Sequence, residues 1–134
     1  MARARIDDEL GRAAFDTVRA IAAEHAAAGD RLGLGASVDR TTLALAVRYS
    51  LQLLAEQAPG GTVEVRVPPY AAVQCIEGPR HTRGTPPNVI ETDAATWIAL
   101  AAGDLSWRDA RDAGRVHASG QRADLADVLP VIPG

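Results

Sequence analysis

The spacing of apolar residues changes from a helical to a strand period near the middle of the chain, and this change limits the available folds. Up to about Gln57, apolar residues recur every three or four positions, as on a helix with one buried face. After Pro59-Gly60-Gly61, Val63, Val65 and Val67 alternate with polar residues, as in a strand with one buried face. The order predicts an α+β fold, mixed α/β in the broad sense. We expect a single domain over 1–134, helical in 1–60 and with a sheet and further helices in 61–134.

The first predicted helix runs from about Ile6 to Ala28 and ends at Gly29. Acidic residues follow Ile6 in its first turn, where the helix dipole favours negative charge. Its predicted buried face is spaced at three- and four-residue steps and consists of Leu10, Ala14, Val18 and Ile21.

The second predicted helix begins after Asp39, whose carboxylate can cap the free amides, and ends at about Gln57. Leu45 and Leu53 lie off its main apolar stripe, so we expect this helix to be covered on two sides. The cover is either the rest of the domain or a second copy, which would make a homodimer through the N-terminal helices. The main stripe consists of Leu43, Val47, Ser50, Leu51 and Leu54.

The remaining elements follow from alternation, capping residues and glycines. The predicted strands are 62–67, 70–77, 88–91 and 115–119, and the short link between the first two favours antiparallel pairing. One helix begins after Thr92 or Asp93 and ends at Gly103, and the next begins at Ser106 and ends at Gly114. A last short helix, capped by Asp124, is predicted to bury Leu125, Val128 and Leu129 before Pro130.

Composition excludes several classes of function and location. The net charge of -3 and a pI near 5.5 oppose binding to nucleic acid, which needs a basic surface. Cys75 is the only cysteine, so no intramolecular disulfide can form, and we expect a reducing cytoplasmic setting. No apolar run approaches the ~20 residues of a membrane-spanning helix, so no integral membrane association is expected.

The C-terminal third carries a more specific pattern. Residues 96–107 (TWIALAAGDLSW), Ala110, 114–120 (GRVHASG) and Leu125 resemble the C-terminal signature of sterol carrier protein 2-like (SCP2-like) domains. Residues 69–76 and 79–88 resemble the small stand-alone bacterial members of that family. The resemblance implies an SCP2-like fold, with helices covering one face of a curved mixed or antiparallel sheet. It also implies an apolar tunnel that takes fatty acyl groups or sterols.

Burial of a lipid chain contributes ~0.8 kcal/mol per methylene, so apolar walls alone can hold such a ligand. Small strand residues bordered by large helix residues could leave the necessary space, or the same residues could simply pack against one another. The residues predicted to line the tunnel are Val73, Cys75, Trp97, Leu100, Trp107, Val116, Leu125 and Leu129.

One polar loop is a candidate for binding the charged end of such a ligand. Arg80, His81 and Arg83 lie between prolines, and two guanidiniums can hold a carboxylate or phosphate by paired hydrogen bonds. The alternative is a solvated loop whose arginines pair with Glu77 and Glu91.

Evidence for catalysis is weak. His81 could act as a general base, but no nucleophile and no known catalytic motif accompanies it. The three histidines lack metal-ligand spacing, and Cys75 lies on a strand face predicted to be buried, as an inert core thiol would. We therefore predict no enzyme activity, no metal and no cofactor.

The predicted function is carriage of a lipid or another apolar small molecule. A ligand-free structural or oligomerisation module is the alternative. A third hypothesis, a small-molecule enzyme or an isomerase accessory domain, requires a cleft that converges on His81.

Overall fold

A computed structural model describes residues 4–27, 38–79 and 87–133. Within these ranges the chain forms four helices and one four-stranded mixed sheet, which confirms the α+β prediction. The elements are α1 (Asp8–Ala27), α2 (Arg40–Gln57), β1 (Val63–Val67), β2 (Ala71–Cys75), β3 (Asn88–Thr92), α3 (Ala94–Ala102), α4 (Trp107–Asp112) and β4 (Val116–Ser119). None of the helices in the described ranges is long and apolar enough to cross a membrane.

The strand order is β2-β1-β3-β4, so β2 and β4 are the edges of the described sheet. β1 and β2 pair antiparallel with Val65 opposite Val73, as the short link between them predicts. β3 lies parallel to β1, and β4 returns antiparallel to β3. The sheet is therefore mixed.

One face of the sheet is buried by the helices. Val63, Val65 and Val67 have no solvent exposure, whereas Arg66 between them is exposed. α2 lies against β2, and α1 packs on both α2 and α3. The predicted arrangement of two N-terminal helices and a sheet with one covered face is thus present.

Local capping chemistry sets most helix boundaries. Asp39 accepts a hydrogen bond from the backbone N–H of Thr42, and Asp93 accepts one from Thr96. Ser106 accepts the same type of bond from Asp109 at 3.1 Å. Gly103 has a φ of 84° at the end of α3, the left-handed conformation that glycine adopts at least cost.

The start and the buried face of α1 differ from the prediction. Ile6 precedes the helix, because the Asp7 carboxylate accepts from the N–H groups of Glu9 and Leu10 and so caps it. Leu10, predicted to be buried, is 58% exposed, whereas Phe15 is fully buried. A second difference concerns residues 124–129, which form a single turn rather than a helix.

The orientation of α1 has a packing cause. A Cβ atom at Gly11 would overlap the ring of Tyr49, so Gly11 lies directly on α2 and Leu10 is turned to solvent. The contact requires glycine for its lack of a side chain.

The turn at 124–129 also has a local cause. The Asp124 carboxylate accepts a hydrogen bond from Ala126 N at 2.7 Å. This bond to the residue two positions ahead is that of an Asx turn. Leu129 precedes Pro130, and the proline ring disfavours a helical backbone conformation at the residue before it. Leu125 is still buried, and the chain then returns to α3, where Val131 and Ile132 both donate to the carbonyl of Ala101.

Candidate functional site

A pocket of about 690 Å³ lies between α2 and the edge strand β2. This volume is within the range of small-molecule sites in proteins. Residues 4–6, which precede α1, form its third wall. The lining residues are Ala4, Arg5, Ile6, Leu45, Arg48, Gln52, Glu56, Tyr70, Ala71, Ala72 and Val73.

The α2 wall is one stripe along the helix. Leu45, Arg48, Gln52 and Glu56 are three or four residues apart, so their side chains share a face. This face is distinct from the main buried stripe, because Leu45 and Arg48 are only partly buried. Polarity changes along it, from an aliphatic side chain through a cation and an amide to a carboxylate.

The β2 wall is built from small residues. Ala71 and Val73 are partly buried on the helix side, and Ala72 is exposed. α2 and β2 are joined at both ends: Arg48 Nε donates to the carbonyl of Tyr70 at 3.3 Å, and Ile76 N donates to the carbonyl of Ala58 at 2.7 Å. Between these two contacts the alanine side chains are too short to close the space.

Residues 4–6 form a strap that is fastened to α2, and we refer to them as the N-terminal strap. The Gln52 side-chain amide pairs with the backbone of Ile6 in both directions: Ile6 N donates to Gln52 Oε1 at 2.8 Å, and Gln52 Nε2 donates to Ile6 O at 3.0 Å. Arg5 donates to both carboxylate oxygens of Glu56, at 2.6 and 2.9 Å. Two sets of hydrogen bonds, from Arg5 to Glu56 and between Ile6 and Gln52, therefore hold the strap against α2.

Most of the charge at this wall is paired. The Arg5 guanidinium also donates to Asp8 at 2.9 Å, and Asp8 in turn accepts from the Tyr49 hydroxyl at 2.9 Å. Hydrogen bonds from Arg5 lower the pKa of Glu56 and of Asp8, with a further lowering of Asp8 by Tyr49. Burial, and then the hydrogen bond to Asp8, raises the pKa of Tyr49. Arg48 differs, because no carboxylate in the described ranges forms an ion pair with it.

Of the eight residues predicted to line a tunnel, Val73 lines this pocket, and the others belong to the buried hydrophobic cluster or pack against it. Trp97, Cys75 and Leu125 have no exposed surface, and Leu100 has 1%. Trp107 and Val116 are also buried, and Leu129 is partly buried against the same cluster. A tunnel lined by these residues remains a prediction.

Two buried groups in this core have distinct chemistry. Burial raises the pKa of the Cys75 thiol to about 11, so it is protonated at neutral pH. Trp107 Nε1 is buried and has no hydrogen-bond partner among the described residues, whereas Trp97 Nε1 donates to Ser50 Oγ at 2.8 Å.

The predicted anion-binding residues Arg80, His81 and Arg83 lie outside the described residues. Glu77 and Glu91, the two acids predicted as alternative partners of these arginines, are both exposed. No cluster of three potential metal ligands occurs in the described part of the chain.

A family model described as a bacterial SCP ortholog matches residues 39–131, more than half of the chain. The chain belongs to this family. It is therefore an SCP2-like domain of the small bacterial type, as the motifs in residues 96–125 and in 69–76 and 79–88 indicated. The match begins at Asp39, the N-cap of α2, and so includes both the α2 and the β2 wall of the pocket. The search of curated proteins returned no match.

Sequence reasoning missed most of the pocket of this SCP family member. The sequence prediction for α2 and the segment before α1 depends only on apolar residues. It therefore does not include the polar lining residues Arg5, Arg48, Gln52 and Glu56. One signal was present: Leu45, Arg48, Gln52 and Glu56 follow helical spacing on a second face of α2. That face needed a cover, and the strap and β2 provide it.

Proposed function

We propose that this protein binds a lipid-like, largely apolar ligand without altering it chemically, and that the pocket between α2 and β2 receives the ligand. The observation that carries the proposal is a 690 Å³ space walled by a helix and the sheet edge in a member of the SCP family. Membership suggests a lipid carrier, and the aliphatic residues Ile6, Leu45, Ala71 and Val73 supply apolar wall. Each methylene buried there would contribute ~0.8 kcal/mol.

Carriage rather than catalysis is supported by the make-up of the pocket lining. It consists of aliphatic side chains, a tyrosine, an amide, a paired Arg5–Glu56 and Arg48. These groups can enclose and orient a ligand. The net charge of -3 agrees with a cytoplasmic protein that works without nucleic acid, and we propose that setting for it.

The test is binding of the neutral fluorescent probe Nile red to the parent and to variants that fill the pocket. Ala71→Phe adds a ring from the β2 wall, and Leu45→Trp adds one from the α2 wall. Each is expected to weaken probe binding about fivefold or more, because the added ring occupies the ligand's volume. Two walls are used so that the result survives if one variant fails to fold.

The matched control is Gln74→Phe, which places the same ring on the same strand at an exposed position outside the pocket lining. It should bind like the parent. No probe binding by the folded parent, together with no added mass in native mass spectra after gentle purification, would refute the carrier function.

A ligand-free structural module is the second candidate, favoured by the burial of Trp97, Leu100 and Leu125 in the hydrophobic core. Self-association through the N-terminal helices belongs to this candidate. In the described chain, α1, α3 and β2 already cover α2, and Leu10 on α1 is the one large apolar side chain that is exposed within the described ranges. Sedimentation equilibrium of the parent and of Leu10→Ser measures it: a dimer that dissociates in the variant would support this candidate.

A further inference from the structure

Arg48 lies on the α2 wall of the pocket, between Leu45 and Gln52, with most of its hydrogen-bonding capacity unused by the described chain. Its Nε–H is directed to the Tyr70 carbonyl, 3.3 Å away, which orients the guanidinium at the start of β2. A guanidinium has five N–H donors, and no other acceptor in the described ranges receives one from Arg48. Its side chain is nevertheless partly buried on the pocket wall.

The charges of the lining leave this cation uncompensated among the described residues. Arg5 and Glu56 neutralise each other at 2.6 Å, and Asp8, which also binds Arg5, is outside the lining. Arg48 is thus the one cation of the lining that forms no ion pair with any described residue. Aliphatic groups lie near it: Leu45 is one helical turn before Arg48 on the same face, and Ala71 follows Tyr70 in β2.

From this arrangement we infer that Arg48 selects ligands that end in a single carboxylate. The guanidinium fork matches the two carboxylate oxygens, and a charge-assisted hydrogen bond in a partly desolvated pocket is stronger than a neutral one. The apolar body of the ligand then extends between α2 and β2, under the N-terminal strap. This inference rests on the proposed function and adds to it the chemistry of the ligand's polar end.

The charge count favours a carboxylate over a phosphate monoester. A phosphate monoester carries about -1.5 to -2 charges at pH 7, more than one guanidinium can neutralise. Gln52, one turn beyond Arg48, does not supply a second cation, and its amide is already paired with Ile6. A neutral alcohol would leave the Arg48 charge in the pocket without a counter-charge.

The experiment compares ligands that share a chain and differ only at the end. Decanoate, decan-1-ol and decyl phosphate compete with Nile red for the parent, Arg48→Gln and Arg48→Lys at pH 7.5. Arg48→Gln is expected to weaken decanoate about tenfold or more, which corresponds to about 1.4 kcal/mol, and to change decan-1-ol by less than about twofold. Arg48→Lys, which keeps the charge but loses the fork, should fall between the parent and Arg48→Gln.

The control is Arg108→Gln, which removes a charge from an exposed position on α4, outside the pocket lining. It should bind all three ligands as the parent does. Equal weakening of decanoate and decan-1-ol by Arg48→Gln would overturn the inference, because Arg48 would then act only through packing. Tighter binding of decyl phosphate than of decanoate by the parent would overturn the choice of a carboxylate.

Failure of this inference is distinguishable from failure of the proposed function. If the parent binds decanoate and decan-1-ol with equal affinity and Arg48→Gln changes neither affinity, the pocket binds apolar chains without distinguishing their end groups. In that case only the role proposed for Arg48 is wrong. If the folded parent binds none of the three ligands and no Nile red, lipid carriage itself is wrong. Thermal unfolding of each variant confirms that it is folded under the assay conditions.

Discussion

Trp97 Nε1 donates a hydrogen bond to Ser50 Oγ at 2.8 Å, and both residues are completely buried. The bond joins α3 to α2 across 47 residues of sequence. Ser50 in turn donates toward the backbone carbonyls of Ala46 and Val47, at 2.8 and 3.0 Å. The indole therefore reaches the interior of α2 through a polar group that is itself held in place.

This bond predicts that the two tryptophans respond differently to the same substitution. Trp97→Phe removes a satisfied donor and buried volume, and should lower the free energy of unfolding by about 2–3 kcal/mol. Trp107→Phe removes an indole N–H that has no partner in the described part of the chain, so the lost volume is partly offset and the cost should be about 1 kcal/mol or less. Urea unfolding followed by far-UV circular dichroism measures both. Equal losses would show that Trp107 Nε1 is satisfied in solution, for example by an internal water.

The fastening of the N-terminal strap predicts a dependence on acid pH. Arg5 lowers the pKa of both Glu56 and Asp8 below their usual values of 4.5 and 3.8. Carboxyls with lowered pKa stabilise the folded chain above those usual values, and this stabilisation is lost as the pH falls through the lowered ones. Arg5→Gln should therefore reduce the hydrogen-exchange protection of the Ile6 amide at pH 7, and by progressively less as the pH is decreased through the lowered pKa values of the two carboxyls.

The matched control for the strap is Arg12→Gln. Arg12 forms an exposed pair with Asp16 within α1 at 3.0 Å, and this pair does not join the strap to α2. Its removal should leave Ile6 protection unchanged at both pH values. A loss of protection in Arg5→Gln that stays the same however far the pH is decreased below 4 would mean that the ion pair does not fasten the strap.

The elements that were predicted correctly are those decided by neighbours in sequence. Asp39, Asp93 and Ser106 cap helices through N–H groups three residues ahead, so their role can be read from spacing alone. Alternation likewise placed Val63 and Val65 on the buried side of β1. The family motifs in residues 96–125 added the SCP2-like fold, which periodicity alone would not have specified.

The features that were missed depend on contacts distant in sequence. Leu10 has the right spacing to be buried, but the Gly11–Tyr49 contact turns α1 so that Phe15 is buried instead. The third wall of the pocket is attached to α2 because Gln52 binds the Ile6 backbone, 46 residues away. Local spacing carries no information on which helix face a preceding segment will cross.

The Gly11–Tyr49 contact predicts that a favourable helix residue will be harmful at position 11. Alanine in place of glycine within a helix normally stabilises it by about 1 kcal/mol. In Gly11→Ala the added methyl would overlap the Tyr49 ring, so α1 must move away from α2, and we expect a net loss of about 1–3 kcal/mol. Ala13→Gly, at an exposed position of α1, measures the propensity effect alone and should cost about 1 kcal/mol. A Gly11→Ala protein more stable than the parent would show that the two helices are less closely packed.

Burial of Cys75 predicts a thiol that reacts only when the protein unfolds. Its pKa is raised from 9.0 to about 11, so at pH 8 the thiolate fraction in the folded chain is about 100-fold smaller than in an unfolded one. Since the thiolate is the reactive form, iodoacetamide should label the native protein at least about 100-fold more slowly than the protein in urea, as followed by intact mass. The same shift makes this group's contribution to stability decrease as pH rises above about 9, because only the unfolded thiol then ionises. Cys75→Ser, which has no thiol, sets the background of the labelling. Native labelling within a few-fold of the rate in urea would mean that the buried face of β2 opens to solvent without unfolding, and with it the wall that carries Ala71 and Val73.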